Sequence, residues 1–94
     1  MEVQYSDHLI LRLNIRGIPY ELPRIVYERA TRRFYDTQSH LNIGLLRTSY
    51  LGKKRDVAVT YRVYTSHILL VTIHPLKPNQ LVNRLYSGRW KEVS

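Results

Sequence analysis

The sequence predicts a single α+β domain in which an antiparallel meander sheet packs against helices. Two features lead to this prediction. Apolar residues recur at helical spacing up to about position 34, and from position 41 they recur at every second residue. A chain of 94 residues also has room for only one hydrophobic core, so we treat residues 1–94 as one domain. The expected order of elements is (β)ααβββα.

A short edge strand and a first helix are predicted at the start of the chain. Residues 2–5 are compatible with a strand, and Ser6 is a favourable N-cap for a helix over residues 7–16. Gly17 is a favourable end for this helix. Side chains at every fourth position share one side of a helix, which gives this helix a basic stripe. The basic stripe consists of His8, Arg12 and Arg16.

A second helix is predicted over residues 23–34. Pro23 fits its first turn, because the N–H group that proline lacks would have no partner there. The buried side of this helix would consist of Ile25, Val26, Ala30 and Phe34.

The second half of the chain is predicted to form the meander. Gly52 and Lys53 are typical of a hairpin turn between two strands. In the strand after this turn, Val57 and Val59 share one face with Tyr61. Residues 68–73 are apolar at nearly every position, which predicts a central strand covered on both faces.

The end of the chain is predicted to form a third helix and a short tail. Leu81, Val82 and Leu85 mark the apolar side of this helix, which would end near Gly88. Glycine can turn the chain back on itself, so we expect Trp90 to fill part of the core.

The composition indicates a basic protein with an anionic partner. Lysine and arginine number 15 against 7 acidic residues, which gives a net charge of +8, and 11 of the 15 cations are arginine. Such an excess favours a polyanion or an acidic protein as partner. The absence of cysteine excludes disulfides and thiol catalysis and is compatible with a reducing cytoplasm. We expect a cytoplasmic protein with no membrane span and no targeting segment.

Residues 57–91 contain no acidic residue, although they contain several cations and two histidines. Paired carboxylates for glycoside hydrolysis or two-metal catalysis are therefore missing from this part of the chain. Scattered histidines without cysteine are a poor metal cage, so we expect no metal and no cofactor. Any catalysis would depend on cations, histidine and tyrosine, which suits a negatively charged substrate.

His74 is the most informative single position. It stands where the apolar strand ends, in the segment Thr-Ile-His-Pro-Leu-Lys. A histidine there would be anchored by the core and could face a cleft, where its pKa is easily moved across neutrality. Arg84 and Arg89 would border the same cleft. The alternative is a strand-end histidine that only bonds a nearby carbonyl group.

Two further groups of cations are candidates for binding phosphate. Guanidinium groups one turn apart on the basic stripe can hold successive phosphates, or they form a solvated face that pairs with Glu21 or Glu28. Lys53, Lys54 and Arg55 at the hairpin tip either clamp a phosphate or keep the tip soluble. Arg55 is two residues before Val57 and four before Val59, so it lies on the same face of the strand as these apolar residues. We therefore expect it at the rim of the packed face.

Tyrosine is over-represented, with eight tyrosines against one phenylalanine. Aromatic rings among cations can stack on unpaired RNA bases. More often a tyrosine in a strand belongs to the core, with its hydroxyl group at the surface. Tyr61 is the candidate for a functional role.

Four segments resemble the RelE/ParE toxin superfamily, most closely its short basic branch that includes BrnT-like proteins. The first is similar to the His-x-x-x-Arg-x-x-x-Arg-Gly-Ile helix opening of that branch. The order of the elements also matches. The segments are Asp7–Ile18, Gly52–Tyr61, Leu69–Pro75 and Gly88–Trp90.

The resemblance implies a RelE/ParE-like fold and a toxin of a toxin–antitoxin pair. Many such toxins cleave messenger RNA, often on the ribosome, and others poison DNA gyrase. The implied catalytic residues are Arg55, Tyr61, His74, Arg84 and Arg89. The implied nucleic-acid-binding residues are His8, Arg12, Arg16, Lys53 and Lys54.

The leading hypothesis is a metal-independent endoribonuclease of a type II pair, in which the 2′-hydroxyl of the RNA attacks the adjacent phosphorus. Its partners would be RNA or the ribosome and a small acidic antitoxin. The alternative is a non-catalytic gyrase poison or nucleic-acid-binding module that uses the same basic face. A third interpretation is an interaction subunit whose basic surface serves a protein partner. The hypothesis depends on one expectation, that Arg55, His74, Arg84 and Arg89 converge on a single concave face able to hold an anionic strand.

Overall fold

A computed structural model describes residues 1–93, which form three helices and one six-stranded sheet. The α+β class is therefore confirmed. In chain order the elements are β1 (Glu2–Tyr5), α1 (Asp7–Arg16), α2 (Leu22–Arg29), β2 (Arg32–Asp36), β3 (Asn42–Tyr50), β4 (Lys53–Val63), β5 (His67–Pro75), α3 (Gln80–Tyr86) and β6 (Trp90–Val93).

The strands lie in the order β1-β5-β4-β3-β2-β6. Strands β3 to β5 form the predicted antiparallel meander. β2, which was not predicted as a strand, extends it by pairing antiparallel with β3. β1 pairs with β5 in parallel, so the sheet is mixed at this edge. β6, which was not predicted as a strand, pairs antiparallel with β2 at the other edge.

Helix α1 has the predicted bounds, and its ends show why. The hydroxyl oxygen of Ser6 accepts a 3.0 Å hydrogen bond from the N–H group of Leu9, so Ser6 caps the first turn. The helix ends at Gly17 with a φ of 64°, in the left-handed region that glycine adopts without steric cost. No helix within residues 1–93 is long and apolar enough to cross a membrane.

The predicted second helix over 23–34 is wrong in its last part. Helix α2 ends at Arg29, and residues 32–36 form β2 instead. The N–H group of Thr31 donates to the carbonyl oxygen of Leu45, and Phe34 then lies opposite Ile43 in the sheet. This pairing with a strand that is distant in sequence overrides the local helical propensity. The spacing of apolar residues carries no information about such a pairing.

The sheet has a core on each face. On the α1/α2 face, the two helices cover residues of β3, β4 and β5. The buried cluster there consists of Leu9, Leu13, Ile18, Leu22, Val26, Tyr50, Val57, Val59, Tyr61, Ile68, Leu70 and Ile73. On the α3 face, Leu81 and Leu85 pack on a smaller cluster. That cluster consists of Phe34, Ile43, Leu45, Ala58, Leu76 and Trp90.

Several smaller predictions have clear outcomes. Trp90 is 4% exposed and fills the core, as expected. The β3–β4 turn falls at Leu51 and Gly52, close to the predicted position. The segment 68–73 is not a central strand covered on both faces, because β5 is second from the edge and only its α1/α2 face contributes to a buried cluster.

A bulge in β5 decides which face His74 occupies. Leu70 and Thr72 pair with consecutive residues of β4, so Val71 between them has no partner there. One extra residue reverses the alternation of side chains beyond it. His74 consequently lies opposite Ala58, whose side chain belongs to the α3-face core.

Candidate catalytic and nucleic-acid-binding site

His74 is half-buried on the α3 face, where the charges of two arginines act on it. Burial lowers the pKa of His74 below its ordinary value of 6.5, and the positive charges of Arg12 and Arg84 lower it further. The folded protein therefore favours the uncharged form of this imidazole. An uncharged imidazole flanked by cations can accept a proton while the cations attract an anionic substrate.

The two arginines belong to different elements. Arg12 belongs to α1, which begins beside the bulge because Ser6 bonds the backbone of β5 there. Arg84 belongs to the last turn of α3. Both side chains are partly buried, and within residues 1–93 neither is in an ion pair. Their charges are free to act on a bound anion.

A pair of threonines continues the polar surface next to His74. Thr60 and Thr72 lie opposite each other on β4 and β5, and their hydroxyl oxygens are 2.6 Å apart. Cross-strand partners point to the same face, so both hydroxyls lie on the α3 face beside His74. The sequence pattern did not single out these threonines.

A basic groove of about 480 Å³ lies between the β3–β4 hairpin and the loop that leads from β5 to α3. Its single acidic residue, Asp56, accepts a 3.2 Å bond from Arg47. Within residues 1–93, the other four cations of the groove have no acidic partner. A concave surface of one charge concentrates an oppositely charged ligand. The cations that line the groove are Arg47, Lys53, Lys54, Arg55 and Lys77.

Arg55 and Tyr61 alternate with residues of the α3 face and so belong to the other side of the sheet. Tyr61 is only 6% exposed, and its hydroxyl oxygen accepts a 3.0 Å bond from Arg33 beneath α2. Arg55 is half-buried at the rim of the groove. The structure therefore separates the Tyr61 hydroxyl from His74 by the thickness of the sheet.

Arg89 also lies apart from His74. Its guanidinium donates two 3.2 Å bonds to the carboxylate of Asp36, which also accepts bonds from the Trp90 indole and from the backbone N–H groups of Gln38 and Ser39. Burial alone would raise the pKa of Asp36, but these donors outweigh it and hold the pKa well below its usual range. Arg89 thus fixes the chain end to the β2–β3 loop.

The predicted basic stripe exists, because His8, Arg12 and Arg16 occupy successive turns of α1. His8 and Arg16 are exposed. Arg12 is partly buried, and its positive charge lowers the pKa of His74. The structure thus brings together three of the sequence-derived residues: His74, Arg12 and Arg84. The expectation of one face shared by Arg55, His74, Arg84 and Arg89 is not met.

The groove includes two cations that sequence reasoning did not select. Lys77 follows His74 by three residues, which is the signal that could have identified it. Arg47 lies opposite Asp56 in the hairpin, a relationship that appears only once the strand register is known.

Comparison with known proteins adds no identification. No protein-family model, curated protein or solved structure matches the chain. Among residues 1–93, no group of three or more histidine, aspartate or glutamate side chains is arranged to hold a metal ion. The function must therefore be argued from the geometry around His74 and the groove.

Proposed function

We propose that the protein is a metal-independent endoribonuclease with its reaction centre at His74. The observation that supports this most directly is the half-buried imidazole of His74 on the α3 face, whose charged form is disfavoured by burial and by the charges of Arg12 and Arg84. RNA carries its own nucleophile, the 2′-hydroxyl beside each phosphate. A proton acceptor and positive charge are therefore sufficient for cleavage, without a metal-activated water.

In this mechanism His74 takes the proton of the 2′-hydroxyl as its oxygen bonds to the adjacent phosphorus. The bond from phosphorus to the 5′-oxygen breaks, and that oxygen receives a proton from the imidazolium or from water. The products are a 2′,3′-cyclic phosphate and a 5′-hydroxyl. Arg12 and Arg84 stabilise the negative charge that develops on the phosphate oxygens.

The basic groove would hold phosphates next to the one that reacts. Lys77 follows His74 by three residues, so their Cα atoms are at most about 11 Å apart. Lys53 and Lys54 face the same groove from the hairpin. Contacts to neighbouring phosphates position an RNA strand without reading its sequence.

The same charge supports the proposed biological setting, a toxin that acts on messenger RNA, free or on the ribosome, and is neutralised by a small acidic antitoxin. A protein of net charge +8 attracts an acidic segment, which would compete with RNA for the groove. Growth arrest on expression of this chain alone, relieved by co-expression of an acidic partner encoded beside it, is the expected result.

The direct test is to incubate the purified protein with RNA, and with translating ribosomes, in the presence of a chelator. We expect cleavage to 2′,3′-cyclic phosphate ends, and His74→Ala should reduce the rate by at least about 100-fold with folding retained. His40→Ala is the matched control, because His40 is exposed on the β2–β3 loop. RNA that stays intact in both settings would refute the proposal.

The second candidate is a non-catalytic module that binds nucleic acid, such as a gyrase poison. The groove favours it, because five cations line the groove and its one carboxylate, that of Asp56, is already paired with Arg47. None of the five cations is a proton acceptor. This function predicts tight binding with no RNA products and with His74→Ala indistinguishable from the wild type. The same assay therefore separates the two functions.

A further inference from the structure

A row of cross-strand pairs extends from His74 along the α3 face to the far end of the β4–β5 hairpin. Helix α3 packs over the inner strands only, so the outer part of this row is open. Arg62 and Tyr64 are exposed there, and Leu69 is half-buried. In order from the reaction centre the pairs are Ala58–His74, Thr60–Thr72, Arg62–Leu69 and Tyr64–His67.

The last pair is a stacked aromatic unit. The rings of Tyr64 and His67 have centroids 4.8 Å apart and an interplanar angle of 19°. The N–H group of Tyr64 donates to the carbonyl oxygen of His67 at 2.9 Å, and the Ser66 hydroxyl bonds the Nδ1 atom of the same histidine at 2.9 Å. Both rings are thus held in place, while Tyr64 remains 43% exposed. A fixed, exposed ring loses little entropy when another ring stacks on it.

The charges near this pair favour a base over a phosphate. Glu2 of β1 lies opposite His67, and its carboxylate would repel a phosphate at this end. Arg62, one pair closer to His74, can hold the backbone instead. Positive charge followed by an aromatic ring is the arrangement that binds unpaired nucleotides.

We propose that Tyr64 forms a base-stacking subsite for single-stranded RNA, at the opposite end of this row from His74. This inference rests on the proposed function, because the proposed reaction centre at His74 defines the path that the RNA takes along the row to Tyr64. His67 and His74 are seven positions apart in β5, one of which is the bulge, so the distance between them is roughly 20 Å. A substrate that fills both positions needs about four or more nucleotides, the lower end of the site sizes of single-strand-binding domains. Duplex RNA is excluded, because its bases are already stacked and paired.

The subsite is tested by binding rather than by cleavage. Fluorescent 2′-O-methyl oligonucleotides of two to eight residues cannot react, because they lack a free 2′-hydroxyl. Wild-type affinity should increase between the dinucleotide and the hexanucleotide. Tyr64→Ala should lower the affinity for the longer oligonucleotides by about 5- to 100-fold and leave the dinucleotide unaffected. Tyr64→Phe should retain the affinity.

Tyr86→Ala is the control, because Tyr86 is 94% exposed on α3 and away from this row. An unchanged affinity of Tyr64→Ala for the longest oligonucleotide would overturn the subsite, as would an equal loss for the dinucleotide. The subsite would also be refuted if the wild-type protein bound no single-stranded RNA. In that case the row would be a surface for a protein partner. A protein that shows the length dependence but never cuts RNA would refute only the proposed function.

Discussion

The side-chain hydroxyl of Ser6 donates a 3.1 Å hydrogen bond to the carbonyl oxygen of Val71, the unpaired residue of the β5 bulge. The hydroxyl oxygen of Ser6 also accepts a hydrogen bond from the N–H group of Leu9 and so caps α1. One small side chain therefore joins the start of α1 to the irregularity that turns His74 toward the α3 face. The position of Arg12 relative to His74 depends on this junction.

Ser6→Ala should destabilise the protein by about 1–2 kcal/mol, because it removes a helix cap. Urea unfolding should show a lower midpoint with an unchanged slope. Ser49→Ala, at an exposed position of β3, should change the free energy of unfolding by less than about 0.5 kcal/mol. Equal effects of the two substitutions would contradict the role of Ser6.

The protonation of His74 should affect both the rate of RNA cleavage and the free energy of unfolding. Its pKa is lowered below 6.5, so the folded state favours the neutral form. The stability that results is present above pH 6.5 and is lost as the pH falls through the lowered pKa, because the unfolded chain binds the proton more readily. Cleavage should decline over the same range. Histidine NMR titration, compared with His74→Gln, identifies the group, and a pKa above 6.5 would count against this assignment.

Removing either flanking charge should raise the pKa of His74. Arg12→Gln and Arg84→Gln each delete a positive charge that opposes protonation of the imidazole, and Arg12 has the larger effect. NMR titration of His74 in each variant measures the shift. Arg29→Gln, which removes an exposed charge at the end of α2, should leave the titration unchanged. If the three variants titrate alike, the arginines do not act on His74.

The groove should account for part of the salt dependence of RNA binding. The double substitution Lys53→Gln/Lys54→Gln should lower the affinity and reduce the slope of log K against log salt by about 0.7 per lost phosphate contact. Fluorescence anisotropy with an uncleavable single strand measures both quantities. Arg29→Gln/Lys91→Gln removes the same charge elsewhere, and an equal change in slope there would mean that the groove is not the binding site.

Asp36 should make the protein sensitive to acid. Asp36→Ala should cost about 2 kcal/mol at pH 7, because buried donors lose their acceptor. Since the folded pKa of Asp36 is lowered, its contribution is present above the unfolded value of about 3.9 and disappears as the pH falls below it. The difference from the wild type should narrow toward about pH 2. The exposed Asp56→Ala is the control, and a difference that does not change with pH would disprove this account.

Local pattern was enough to predict those parts of the fold that local interactions determine. The ends of α1 at Ser6 and Gly17 were predicted correctly, because helix capping and the left-handed conformation of glycine depend on neighbouring residues only. The hairpin turn and α3 were predicted for the same reason. β2 was missed because its partners, β3 and β6, are remote in sequence, and the helical spacing around Phe34 carries no information about them.

For the candidate site, the sequence by itself determined the chemistry: an excess of arginine, an acid-free stretch over residues 57–91 and a histidine at a strand end. Only the tertiary structure decided which of these groups meet. The unpaired Val71 shifts the alternation of β5 by one residue, which places His74 on the side of Arg84 and away from Tyr61. Asp36 holds Arg89 elsewhere. A strand apolar on both faces does not reveal where an extra residue enters, because the bulge is set by pairing across the sheet.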